Sequence, residues 1–208
     1  MDKKHDSGEI EPKQRILDAA IRLFAKKGYA ATGMRELSKE ADVNLAMINY
    51  YFGTKQKILE EIIDQFCKGD IERKQKILFS DVGMDEKVRL LVADTVQFYR
   101  ENQELALVSI TEFPYDIPEI ADYKANYVRS MLSIGADSLA ELFEDQLNDK
   151  IKLEAFASSM MGMIAIHFIM KPVLQKLGDE DFDDDYYDSF TETITDLLLF
   201  GLFGQPDK

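Results

Sequence analysis

Residues 44–55 read NLAMINYYFGTK. The stretch offers two amides, two phenols, a hydroxyl and an ammonium, interleaved with Leu45, Met47, Ile48 and Phe52. Wound as a helix, it turns Ile48 and Phe52 to one side. Leu45, Ala46, Asn49 and Tyr50 then fall on the opposite side. This is recognition chemistry rather than bond-making chemistry. Leu45 and Ala46 can touch thymine methyls, and Asn49 can read a base edge or hold a phosphate. Tyr50 and Tyr51 can donate hydroxyl hydrogen bonds to phosphate oxygens. Asn44 can cap the helix and counts among the candidate DNA contacts, and Lys55 just beyond it adds positive charge and N–H groups near the DNA backbone.

Other chemistries find little material. The two histidines, His5 and His167, and the single Cys67 leave no tetrahedral metal set. No Gly-rich phosphate loop or nucleophile elbow is present. The acidic run 179–188 lacks the Gly and the Glu of a calcium loop. It suits a solvated segment leading into a helix N-terminus. No cofactor and no enzymatic activity are expected. One cysteine rules out an intrachain disulfide and agrees with a cytoplasmic protein. No signal peptide is visible, and the apolar run 160–170 is too short to span a bilayer, so no membrane role is expected.

The net charge of −14 at first argues against a nucleic-acid partner. Its distribution changes that reading. Residues 1–57 hold eleven Lys and Arg against eight Asp and Glu, whereas the remainder holds fourteen against thirty-one. A basic head on an acidic body follows.

Apolar residues recur at three and four along nearly the whole chain, so an all-α fold is expected. After a disordered arm, residues 1–11, Pro12 suits a first helix with the stripe Ile16, Leu17, Ala20, Ile21 and Phe24, stopped at Gly28. Thr32 can cap a second helix over 33–41, and Asn44 a third over 45–52. A fourth runs over 55–78 with the stripe Ile58, Ile62 and Phe66. Further helices are expected near 85–101, 103–111, 119–147, 153–177 (bent by Pro172) and 184–203, about nine in all.

The second and third helices bury Leu37, Ala41, Val43, Ile48 and Tyr51 against the first, with small Ser38 at their close approach. Asp42 stands at the turn, where it tolerates positive φ. This is the spacing of a helix-turn-helix, whose second helix enters the major groove. Thr32 and Arg35 open the helix that crosses the phosphate backbone.

The run TGMRELSKEADVNLAMINYYFGTKQKIL, with the preceding RILDAAIRLFAKKGYAAT, resembles the DNA-binding segment of the tetracycline-repressor (TetR) family of bacterial regulators. About 50 residues carry the resemblance. Asn49 stands where many members have Tyr, and Tyr51 where His is common. The resemblance implies an N-terminal three-helix DNA-binding domain, residues 12–54, and a larger helical ligand-binding and dimerisation domain, residues 55–208. It also implies a palindromic double-stranded DNA operator, a small-molecule effector, a homodimer through the last two helices, and repression.

The residues of the body allow two readings each. Phe98, Tyr99, Tyr123, Tyr127, Met131, Met160, Met163 and His167, with Phe113 and Tyr115, form either an adaptable apolar ligand site or core. The last helix, with Phe190, Ile194, Leu197, Leu198, Gly201 and Leu202, forms either a dimer seam or an internal core helix. At the level of the whole chain, the alternatives to a regulator are a helical protein-interaction adaptor or an enzyme of unknown type.

Overall fold

The structure is a computed structural model and describes residues 11–112, 117–139, 150–178 and 181–203. Among them stand nine helices and no strand. They are α1 (Pro12–Lys27), α2 (Met34–Glu40), α3 (Leu45–Tyr51), α4 (Lys55–Leu78), α5 (Met84–Glu101), α6 (Gln103–Thr111), α7 (Pro118–Leu139), α8 (Lys150–Leu174) and α9 (Asp184–Phe203). No helix of the described residues is long and apolar enough to cross a membrane. The expected arm, apart from Glu11, lies outside the described residues, as do Phe113, Tyr115 and the expected extension of α7 from 140 to 147.

Local chemistry sets most boundaries. Pro12 opens α1, and Gly28 ends it at φ +86°, a backbone state that a side chain disfavours. Asn44 caps α3, its Oδ1 accepting from the Met47 N–H at 2.8 Å. Thr54 caps α4 in the same way through the Lys57 N–H at 3.2 Å. The turn between α2 and α3 places Asp42 at φ +51°, as its side-chain type allows.

The second helix is shorter than its pattern suggests, and Gly33 rather than Thr32 occupies its N-cap. Thr32 is turned inward at 2% exposure, and its hydroxyl donates to the Gly28 carbonyl at 2.9 Å. That hydroxyl closes the turn after α1 instead of capping α2. At the end of α8, Pro172 cannot donate to the helix ladder. The chain then tightens, with the Lys176 N–H bonding the Val173 carbonyl and the Leu177 N–H the Leu174 carbonyl, so the helix stops at Leu174.

A main apolar core runs through the described residues, with a smaller cluster around Leu78 and Leu91. Ile16, Ala20 and Phe24 of α1 join Ile58, Ile62 and Phe66 of α4, then Val92 and Val96 of α5, Val108 of α6, Ile164 of α8 and Leu198 of α9. Along α5, Val88, Leu91, Val92, Thr95, Val96 and Tyr99 form one buried stripe. The three N-terminal helices therefore stand on a long helix, α4, whose far half belongs to the body.

Candidate nucleic-acid interface and ligand cavity

α3 is anchored by a single fully buried side chain, Ile48, with Leu45 and Met47 half-buried beside it. Ala46 and Asn49 are exposed, and Tyr50 is 83% exposed. Tyr51 also lies outward, its ring edge-on to Tyr50 at 5.2 Å between centroids. The sequence pattern placed Tyr51 in the head core. Phe52 takes that inward place instead, because the helix ends at Tyr51 and Gly53, at φ +74°, redirects the chain. The outward face thus carries a methyl, an amide and two phenols, with exposed Arg35 on neighbouring α2.

Three of the expected contact residues are used inside the head: Asn44 in the cap of α3, Thr32 through its hydroxyl on the Gly28 carbonyl, and Lys55. The Lys55 Nζ donates to the Tyr29 carbonyl at 2.7 Å and to the Thr32 carbonyl at 2.9 Å, and sits 4.1 Å from the centre of the Tyr29 ring. The ammonium clamps the first turn of α4 to the turn between α1 and α2. Its place just beyond α3 gave the expectation of positive charge near the DNA backbone. Its acceptors are backbone carbonyls, which no side-chain pattern displays.

Much of the head's positive charge is paired. Lys27 bonds Glu36, Arg22 bonds Glu40 at 3.2 Å and Lys13 bonds Glu61 at 2.7 Å. The Lys27 ammonium holds the Glu36 carboxyl below its ordinary range. Arg35 and Lys39, both exposed on α2, form no ion pair among the described residues.

In the body, α7 and α8 line a half-open cavity of about 330 Å³ against α4. Tyr127, Val128, Met131 and Leu132 come from α7, and Ser158, Met160 and Met161 from α8. Lys74 of α4 completes the described lining. Of the expected ligand contacts, Tyr127, Met131 and Met160 are brought together here. Phe98, Met163 and His167 are not. Phe98 packs on Phe66 and carries the Arg73 guanidinium 3.9 Å over its ring. Met163 packs on the core. His167 sits among Phe168, Phe182, Tyr186, Tyr187 and Phe190, with Phe190 nearest at 4.5 Å. Burial, and then the nearby Lys171, lowers its pKa, so it is held as a neutral imidazole. Tyr99 is buried core, and Tyr123 donates its hydroxyl to Asp64 at 2.9 Å.

Beside the cavity lies a polar cluster that apolar spacing alone does not announce. Asp70, 1% exposed, accepts from Lys74 Nζ at 2.8 Å, from Arg73 at 3.2 Å and from the Tyr127 hydroxyl. Arg73 also binds both oxygens of Asp94, at 3.1 and 3.2 Å. Burial foremost, and the Asp70 charge next, push the Tyr127 hydroxyl up, so it stays a donor. A signal for the cluster is nevertheless present in the sequence. Asp70, Lys74 and Leu78 continue the buried stripe Ile58, Ile62 and Phe66 at intervals of four, so two charges occupy core positions.

Residues 16–62 match the family described as bacterial regulatory proteins, tetR family. The probable HTH-type transcriptional regulator YttP of Bacillus subtilis (strain 168) is 28% identical over 122 residues, 58% of this chain and 59% of that protein. The HTH-type transcriptional repressor NicS of Pseudomonas putida is 27% identical over 100 residues, 48% of this chain and 47% of that protein. The chain thus spans about half the length of these curated relatives. The transcriptional regulator FadR from Bacillus subtilis, solved in complex with stearoyl-CoA, shares the fold with a TM-score of 0.71 at 19% identity, covering 93% of this chain and 99% of that one. Residues 16–62 are thus similar to the DNA-binding segment of the tetR family, and the fold of the whole chain is similar to that of FadR.

The last two helices carry a further surface. Ile166, Ile169, Met170 and Val173 of α8 and Leu197 and Phe200 of α9 are exposed apolar side chains. Leu197 is 56% exposed, whereas Leu198 is 4% exposed and Ile194 is buried. The seam expected along α9 is therefore divided: Ile194 and Leu198 belong to the chain's own core, and Leu197 and Phe200 to the outer face.

Proposed function

We propose that this protein is a homodimeric transcriptional repressor of the cytoplasm. It binds a palindromic operator through α3 and is released when a small apolar molecule fills the cavity between α4, α7 and α8. In this reading residues 12–54 form the DNA-binding domain and residues 55–208 the ligand-binding and dimerisation domain. It has no enzymatic role, in keeping with relatives that are named transcriptional regulators.

The observation that carries the reading is the outward face of α3. Its Ala46, Asn49 and Tyr50 are exposed side by side on a helix fixed by Ile48 and capped by Asn44. A helix presented in this way suits the major groove, with Asn49 on a base edge, Ala46 against a thymine methyl and Tyr50 on phosphate. Arg35 on α2 supplies charge toward the backbone. Repression is supported by the name of NicS, and ligand control by the FadR complex with stearoyl-CoA. The apolar face of α8 and α9 supports pairing of two copies through one shared surface.

The test is selection of binding sites from a pool of randomised duplex DNA. Enrichment of an inverted repeat is expected, with half-site centres about one turn apart, ~34–36 Å, or slightly more. If each protomer neutralises about four phosphates, the affinity should fall with salt with a logarithmic slope near ~7 for the dimer. No enrichment, or binding insensitive to salt, would contradict the reading.

A further inference from the structure

The cavity's own residues narrow the chemistry of what fills it. Six of its described lining residues, Tyr127, Val128, Met131, Leu132, Met160 and Met161, present mainly apolar surface. Ser158 turns its hydroxyl to its own helix, donating to the Ala155 carbonyl at 3.2 Å. Lys74 is the only charged side chain among the described lining residues. Its side chain is 11% exposed, and among the described residues its Nζ makes one hydrogen bond, to Asp70. An ammonium has three N–H donors. A ligand acceptor in the cavity is thus offered a charge-assisted donor inside apolar walls, where such a bond counts most.

The charge balance around Lys74 decides which acceptor. Asp70 and Asp94 face Arg73 and Lys74, so the cluster is already neutral, and Tyr127 adds an uncharged donor. A carboxylate entering this site would add a negative charge beside buried Asp70 without a new cation to meet it. That carries the desolvation cost of an unpaired buried charge. A ligand ammonium would face Lys74 itself. A neutral oxygen acceptor takes the available N–H donors and leaves the balance untouched.

Resting on the ligand-released reading, we propose that the cavity takes a small, neutral, mainly apolar molecule with a carbonyl or ester oxygen bound by Lys74. The stearoyl-CoA bound by FadR from Bacillus subtilis is highly charged, and the charge balance around Lys74 favours a different class.

Three probes of similar size separate the possibilities: benzylacetone (a ketone), hydrocinnamate (a carboxylate) and butylbenzene (a hydrocarbon). Each is titrated calorimetrically at neutral pH into the full-length wild type, Lys74→Met and Val128→Trp, without DNA. Benzylacetone should bind the wild type more tightly than hydrocinnamate. In Lys74→Met it should weaken by about tenfold or more, the effect of removing one hydrogen bond to a charged group, while butylbenzene holds or gains affinity. Val128 lines the cavity and is 43% exposed, so tryptophan there should fold and exclude all three probes.

Hydrocinnamate binding as tightly as benzylacetone would overturn the proposal, as would equal weakening of ketone and hydrocarbon in Lys74→Met, or no probe binding at millimolar concentration. Should Lys74→Met fail to fold, the wild-type ranking of ketone against carboxylate and the failure of Val128→Trp to bind decide alone. Benzylacetone that binds in the expected pattern but leaves the operator complex intact would contradict the released-repressor reading and leave the ligand class standing.

Discussion

Lys55 illustrates how a residue's chemistry can be legible and its role hidden. A lysine just after NYYFGT reads as a phosphate contact, yet its ammonium is bonded to the carbonyls of Tyr29 and Thr32. The two roles give different outcomes for Lys55→Met. Removing a clamp from backbone carbonyls should lower stability by roughly 1–3 kcal/mol, read as a lower midpoint in chemical denaturation, and leave the salt dependence of DNA binding unchanged. Removing a partner of a DNA phosphate should leave stability unchanged and reduce the salt slope by about one. The structure predicts the first pattern. Asp42 is the opposite case. Its tolerance of positive φ is a property of the residue itself, and the turn places it at φ +51°. Local conformational preference is written in one residue. A bond to a distant carbonyl is not.

At the scale of the element, the helices follow from apolar spacing, caps and stops, and α4, α6 and α9 keep the bounds that the pattern gives. Which way a helix faces is harder when it is apolar on more than one side. α9 is such a helix: Ile194 and Leu198 face the chain's own core, while Leu197 and Phe200 face out. Adjacent Leu197 and Leu198 look alike in sequence and are separated only by packing within the fold. The same reason separates Met131 and Met160, which line the cavity, from Met163, which packs on the core. The two leucines therefore make a test. Leu197→Asp should keep its helical circular dichroism and sediment as a monomer, because the charge enters only the exposed face through which two copies are proposed to pair. Leu198→Asp should lose stability by several kcal/mol, because the charge is buried within one chain with no partner. A stable Leu197→Asp dimer would place the pairing surface elsewhere.

The whole molecule is organised by α4. Its Lys55 end is bound to the turn after α1, and its Lys74 lines the cavity, a rise of about 28 Å at 1.5 Å per residue. A ligand that shifts the far half of α4 must act on the head through a helix that is packed along its length. Such coupling is limited by the ligand's differential affinity for the two arrangements, typically ~1–3 kcal/mol. The charge division read from the sequence fits this plan, since the acidic body of the chain adds no attraction for DNA and leaves binding to the head. The central claim remains that the outward face of α3 reads the operator. It is tested most directly by measuring the affinity of Asn49→Ala, Tyr50→Ala and the double variant for the selected inverted repeat and for a scrambled duplex. Both side chains are exposed, so thermal stability should hold. Each single change should weaken repeat binding by roughly 1–3 kcal/mol and narrow the preference over scrambled DNA. A double variant that keeps wild-type affinity and preference would contradict the account.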